Sequence, residues 1–244
     1  MIIYYDQADS TNRLARDLLQ EGYPDGTVVL AGQQSAGRGQ YGRSFSSPPG
    51  GLYFSLLLRP NLKIDHLPLI TLAAGLACCQ VIETHFQLQP WIKWPNDVYI
   101  QDRKVAGILC ENSLAPGNDP LTSGVIIGVG LNVNATLEDF PEDLRLLLTT
   151  LFSLTGTQVD LTVLLDALLV AIKMSVDAMG HQTSALLNQW QQYDYLLGKK
   201  ITHTVGATTL HGIGMGIDHS GQYRLLDAQG VEHLILGGQL RPSS

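Results

Sequence analysis

Hydrophobic positions recur with helical spacing between about Thr11 and Gln20, where Leu14, Leu18 and Leu19 form one face. Ser10 or Thr11 is placed to cap that helix, and Gly22 and Pro24 end it. The run Thr27-Val28-Val29-Leu30-Ala31, within Gly26 to Gln34, reads as a buried strand, and Leu52 to Arg59 as a second. Residues 66 to 88 are apolar on most sides, so a helix packed against a sheet is expected there. Trp91-Ile92-Lys93-Trp94 is a short strand stopped by Pro95. Val98-Tyr99-Ile100, a turn at Gln101-Asp102-Arg103, and Val105 to Cys110 predict a hairpin. Val125 to Val129 predicts another buried strand. Helices are expected after the Pro141 region, from Asp160 to about Met179, and from about Ser184 to Tyr195. Near Gly198 the period changes. Ile201 to Leu240 alternates in short segments between turns, the pattern of a small antiparallel barrel of about five strands. A boundary between Tyr195 and Lys199 divides the chain into residues 1–196 and 197–244.

The 244 residues suffice for a main domain plus a small one, and 45% hydrophobic with 15% charged residues describes a compact fold. A net charge of −7 argues against a nucleic-acid binder with a broad basic face. The opening Met1 to Asp6 lacks the form of a signal peptide. No apolar run is expected to approach a membrane span, the best candidate being Leu164 to Ile172, interrupted by Asp166. Cys78, Cys79 and Cys110 read as buried thiols, not a metal site or a disulfide, and point to a cytoplasmic protein.

Against this acidic background, Gly26 to Ile64 contains no Asp or Glu, while Arg38, Arg43, Arg59 and Lys63 are cationic. Within that stretch, Gln34 to Arg43 holds Gly37, Gly39 and Gly42 beside two arginines. Glycines let a ligand approach the backbone, and guanidinium forks suit carboxylate or phosphate. A solvated surface loop would have the same composition. The spacing is neither that of a P-loop nor of a dinucleotide fingerprint. Lys93 in an apolar strand is a second candidate, either pointing into a polar cleft or snorkelling from an edge strand. Pro95 fixes the bend that follows, and Asp97 is placed to hold the lysine or a magnesium ion. Gly107, and the run Gly128-Val129-Gly130-Leu131-Asn132, put glycines in strands, marking either a bulge or the close approach of a ligand. The charged turn at Asp102-Arg103-Lys104 reads as solvated.

Ser10-Thr11-Asn12, Gln34 to Arg43, Lys93-Trp94-Pro95-Asn96-Asp97, Lys104 to Leu109 and Gly128 to Asn132 together resemble the biotin–protein ligases, also called biotin–[acetyl-CoA-carboxylase] ligases. The order agrees over essentially the whole chain, including Gly212 to Gly238. The resemblance implies an α+β fold: a catalytic core like that of class II aminoacyl-tRNA synthetases, with a mixed sheet and helices, and a small C-terminal Src-homology-3-like β-barrel. It implies activation of biotin by ATP, with magnesium, to biotinyl-5′-AMP, then transfer to a lysine of a biotin carboxyl carrier protein domain. By the same resemblance Arg38 and Lys93 neutralise the carboxylate and α-phosphate, with Arg43 nearer the departing phosphates. Gly37 and Gly39 offer backbone donors, and Ser10, Thr11, Asn12 and Gln34 bind biotin. Phe45 lies against adenine, Asn132 reaches the nucleotide, and Gly107 and Gln40 count among the ligand-binding residues. No protein metal ligand is expected.

Gln40 stands where many relatives carry a further arginine. Some bacterial relatives precede this core with a helix-turn-helix domain, which this sequence gives no sign of, so no DNA partner is expected. A monomer and a homodimer stay equally open. The rival readings are a lipoate– or octanoate–protein ligase and a non-catalytic biotin-binding regulatory module.

Overall fold

The computed structural model describes residues 1–60, 62, 67–113, 124–206 and 208–243. Lys63, and residue 66 at the expected start of the long helix, lie outside them. A seven-stranded sheet runs in the order β1 (Ile2–Tyr5), β2 (Val28–Ala31), β3 (Leu52–Leu58), β7 (Gly124–Leu131), β6 (Arg103–Ser113), β5 (Asp97–Ile100), β4 (Trp91–Lys93). Only the β1–β2 pair is parallel, which makes the sheet mixed. β1 was not expected from sequence: four residues with half of them exposed carry too little pattern.

Alternation along the central strands serves two cores. Val29, Leu57 and Ile126 face α1 (Thr11–Gln20) and enclose its Ala15 and Leu19. Val28, Leu56 and Ile127 face the other way, into the main core with α2 (Leu67–Phe86) and α4 (Leu161–Ala178). Because side chains alternate along a strand, one sheet separates the two layers. The stretch Pro68–Phe86, mean hydropathy 1.4, is long and apolar enough to cross a membrane. That corrects the expectation that no run approaches such a span. Its apolarity serves burial, since 72% of it is enclosed between the sheet and α4. Cys78 and Cys79 are buried there and, with Cys110, unpaired; burial pushes the Cys78 and Cys110 thiols up to about 12.

Asp160 caps α4 as its Oδ1 accepts from Thr162 N–H (2.8 Å) and Val163 N–H (3.3 Å). Ser10 stands at the N-cap of α1 but makes no side-chain cap bond there. After Pro141 comes a 3-10 turn, Glu142–Leu144, and the helix expected beyond that region is the five-residue α3 (Leu151–Thr155). Lys104 takes the intervening chain instead: its N–H donates to Leu147 O (2.9 Å) and its carbonyl accepts from Thr149 N–H (2.9 Å). That bridge claims backbone groups a helix would need. α5 (Thr183–Gln192) completes the helices.

A second, antiparallel sheet runs β11 (Glu232–Ile235), β10 (Tyr223–Leu226), β9 (Thr208–Ile217), β8 (Lys200–Val205), β12 (Gln239–Pro242). Its buried Ile201, Ile217, Tyr223, Leu225, Ile235 and Leu240 are continuous with the main core. Polar ties join the sheets: Trp94 Nε1–H donates to Gly221 O (3.0 Å), and Tyr223 O–H to Asp194 Oδ2 (2.9 Å). Asp194 is buried, and desolvation lifts its carboxyl to about 6.

Candidate active site

The N-terminus of α1, the loop after β2 and the middle of β6 and β7 converge on one cavity. Its walls include Ser10, Thr11, Asn12, Gln34, Arg38, Gly39, Gln40, Arg43 and Phe45, and also Asn96, Asp97 and Lys104. Gly107, Gly128 and Gly130 complete the strand side.

The inner end is neutral and hydrogen-bonded. Asn12 Nδ2 donates to Leu109 O (3.1 Å) and Glu111 Oε2 (2.8 Å), while its Oδ1 accepts from Ser55 Oγ (2.6 Å). Ser55 Oγ also lies 2.8 Å from Thr11 Oγ1. Gln34 Oε1 accepts from Thr11 N–H (2.9 Å), and Gln34 Nε2 donates to Ser47 Oγ (2.8 Å). A side chain at Gly128 would overlap the Asn12 amide, so only glycine admits it.

The outer end is cationic. Arg38 and Arg43 lie on the loop, with Arg43 Cζ 6.0 Å from the Tyr41 ring. Lys104 Nζ pairs with Asp97 (2.6 Å) and sits 5.5 Å from the Phe45 ring centre. Sequence reasoning took Lys104 for a solvated turn residue. A β-bulge explains the error: the β5–β6 register shifts between Val98 and Tyr99, leaving Val105 extra. Strict alternation puts Lys104 and Gly107 on opposite faces, whereas the extra residue turns both to the cavity, where a Cβ on Gly107 would sit 3.1 Å from Lys104 Nζ. Asp97 is therefore paired with Lys104, whereas the lysine it was expected to hold, Lys93, is hydrogen-bonded to Tyr99 OH.

The strand glycines do admit a close approach, and what approaches is Phe45. Gly107 and Gly130 are register partners across β6 and β7. A Cβ at Gly130 would meet Phe45 Cε1 at 2.5 Å, and one at Gly107 would meet Cε2 at 3.2 Å. The ring lies on this two-glycine floor and meets Tyr53 edge-on at 6.4 Å.

Other expected residues are placed differently. Lys93 is on β4, the sheet's edge strand, and is not among the cavity's lining side chains; its ammonium is half-buried, 5.2 Å from the Tyr99 ring centre and 3.4 Å from Tyr99 OH. Burial lowers its pKa, Asp97 opposes that, and Arg241, Lys104 and Arg43 reinforce it. Gly37 is packed against Phe45 O and Ser47 Oγ rather than lining the cavity. The Gly39 N–H donates to Arg43 O (2.7 Å), so that donor closes the loop on itself instead of facing a ligand, a correction to its expected use. Asn132 is buried, its Nδ2 donating to Thr149 O (3.1 Å), and is not among the residues lining this cavity. Asn96 was legible as part of a motif but not as a lining residue; its Nδ2 is pinned to Ile108 O (2.8 Å).

A neutral hydrogen-bonding floor beneath a cationic rim defines a site for a ligand with a polar uncharged head and an anionic end. Residues 4–132 match the model of the Biotin/lipoate A/B protein ligase family. The chain belongs to that family. It is 34% identical over 235 residues to the bifunctional ligase/repressor BirA of Bacillus spizizenii, covering 96% of this chain and 71% of that one. It is 34% identical over 227 residues to the biotin–[acetyl-CoA-carboxylase] ligase of Paracoccus denitrificans, covering 88% and 90%. The solved biotin protein ligase from Aquifex aeolicus, in complex with biotin and ATP, superimposes with a TM-score of 0.85 at 30% identity over 99% of both chains.

Proposed function

We propose that this cavity binds biotin at its neutral end and ATP at its cationic end, and that the chain is a biotin–[acetyl-CoA-carboxylase] ligase. The observation that carries the reading is the junction of the two ends in one cavity: the Asn12–Ser55–Thr11–Gln34 network runs directly into the loop bearing Arg38 and Arg43. In the first half-reaction a biotin carboxylate oxygen attacks the α-phosphorus of ATP, and the bond to pyrophosphate breaks. Two anions must meet, so cations are needed where negative charge concentrates. Arg38, Arg43 and Lys93 take that role in this proposal, with magnesium travelling on the phosphates. Closure of the glycine–arginine loop excludes water from the mixed anhydride. In the second half-reaction the neutral amine of a carrier lysine attacks the acyl carbon, AMP departs, and the amine's proton passes to solvent.

Residues 1–196 are read as a catalytic domain resembling the class II synthetase core, and 197–244 as a Src-homology-3-like barrel; the separate five-stranded antiparallel sheet supports the division. The acceptor is taken to be the carrier domain of a biotin-dependent carboxylase, and the compartment the cytoplasm. The net charge of −7 supports the absence of a DNA partner for these residues. The test is incubation with ATP, magnesium and either biotin or lipoate, following acyl-AMP, then transfer to a carrier domain. Adenylation of biotin alone is expected; adenylation of lipoate alone, or of neither, overturns the reading.

A further inference from the structure

Three regions outside the assigned residues invite a role. The groove between Tyr41 and the second sheet shows no feature that selects an occupant. The Cys78 and Cys79 thiols are enclosed in the apolar core, and the Cys110 thiol is taken up by a hydrogen bond with Thr71. The third, an ion pair on the far side of Asn12, carries an argument.

Arg16 Nη2 is paired with Glu111 Oε1, and the second oxygen of that carboxylate accepts from Asn12 Nδ2 at 2.8 Å. A carboxylate held by a guanidinium is ionised and only accepts hydrogen bonds. With Leu109 O as the longer second acceptor, it holds the Asn12 amide one way: NH₂ toward Glu111 and Leu109 O, oxygen toward Ser55 and Gly128. An amide oxygen only accepts, so Ser55 must spend its single proton on Asn12 Oδ1 (2.6 Å). Ser55 can then only accept from Thr11, 2.8 Å away, leaving the Thr11 hydroxyl as donor to Ser55 or to Gln34 Oε1 at 3.3 Å. Gln34 Oε1 already accepts from Thr11 N–H, which turns its NH₂ toward Ser47. The links from Glu111 through Asn12 and Ser55 to the Thr11 hydroxyl are coupled, while Gln34 takes its orientation from the Thr11 backbone N–H.

We infer that Glu111, oriented by Arg16, is a positioning residue that sets the donor and acceptor polarity of the Asn12–Ser55–Thr11 part of the neutral floor. This rests on the reading above, that the floor takes the ureido ring of biotin. A cyclic urea offers two N–H donors and one carbonyl, so it fits only a floor whose acceptors point correctly, and an amide turned over presents N–H to N–H.

Glu111→Gln tests this with almost no change of volume. Its single amide oxygen goes to the Arg16 guanidinium, and its NH₂ then faces the Asn12 NH₂ and drives that amide over. The KM for biotin should rise about tenfold, the scale of losing a hydrogen bond to a charged group, with the KM for ATP unchanged in pyrophosphate exchange. Arg16→Leu added to Glu111→Gln frees the oxygen to accept from Asn12 and should bring the biotin KM back toward the parent value. Circular dichroism and melting curves establish that both variants fold. An unaltered biotin KM in Glu111→Gln, an equal rise in both KM values, or no recovery in the double variant overturns the inference. Failure of the unsubstituted protein to adenylate biotin instead removes the functional reading itself, and the inference with it.

Discussion

Gly130→Ala puts one methyl group where the Phe45 ring now lies. The added Cβ would stand 2.5 Å from Cε1 and 2.7 Å from Cζ. Ordinary contact between such carbons begins near 3.5 Å, so the ring must retreat by roughly 1 Å. Gly130 is next to last in β7 but is paired with Tyr53 on one side and Gly107 on the other, so the backbone has little freedom to yield. Overpacking of this kind costs about 1–3 kcal/mol, and Phe45 is only half-buried, which favours the lower half of that range. Displacing the ring also disturbs its edge-on contact with Tyr53, worth about 0.5–1.5 kcal/mol. A total of about 2 kcal/mol lowers the melting temperature by roughly 4–8 °C in a chain of this size. If the ring also carries adenine, the KM for ATP should rise about tenfold, with the biotin KM little changed, in a pyrophosphate-exchange assay. Gly107→Ala is the internal comparison. Its nearest neighbours are the flexible tip of Lys104 at 3.1 Å and Phe45 Cε2 at 3.2 Å, so it should cost less on both scales. A Gly130→Ala protein with parental melting temperature and ATP affinity, or one less affected than Gly107→Ala, would refute the glycine-floor argument.

Arg38→Ala or Lys93→Ala should each lower biotin-dependent pyrophosphate release by about 10²-fold, the usual cost of one preorganised charge stabiliser, and near-parental turnover in both would remove them from the chemistry. Gln40→Arg should slow escape of preformed biotinyl-AMP several-fold without abolishing its synthesis, because a charge-assisted contact is roughly twice as strong as a neutral one; a chase with unlabelled biotin and ATP measures this, and equal off-rates count against it. Asp194, its carboxyl raised to about 6 from an ordinary 3.8, binds its proton more tightly when folded. Its burial penalty is therefore full above about pH 6 and relieved as pH falls toward 3.8, so the parent should gain stability relative to Asp194→Asn between pH 7 and pH 4, and parallel denaturant midpoints across that window would exclude the effect.

The elements with long periodic patterns were legible in the sequence. α4 runs from beside Asp160 to Ala178, close to the expected helix, and the five short strands after Gly198 follow their alternation. What escaped was decided by partners remote in sequence. The segment after Pro141 has helical composition, yet Lys104 captures its backbone from the sheet edge. The Gln101–Asp102 turn was located correctly, but both residues adopt positive φ (50° and 61°), a two-residue hairpin turn made without glycine. In the site, glycines were readable as marks of close approach, but not that a ring of the same chain makes that approach. Lys104 was hidden by the bulge at Val105. Glu111 and Ser55 carry no local signal at all, since each matters only through Asn12, 99 and 43 positions away.

The glycine–arginine loop is moored on both sides, and its second mooring constrains anyone who would exchange parts between relatives. Phe45 rests on the main sheet, while the Tyr41 hydroxyl accepts the N–H of Gly238 at 2.9 Å. The same peptide unit is held from behind, the Gly237 carbonyl lying 2.8 Å from His203 Nε2. Gly238 adopts φ +98°, and a side chain at either glycine would press on Tyr41 OH or His203 at 2.7 Å. A chimera that grafts another C-terminal sheet onto this core must therefore import a glycine pair and its histidine together. A sheet lacking them would leave Tyr41 without its Gly238 partner, and would loosen the loop that carries Arg43.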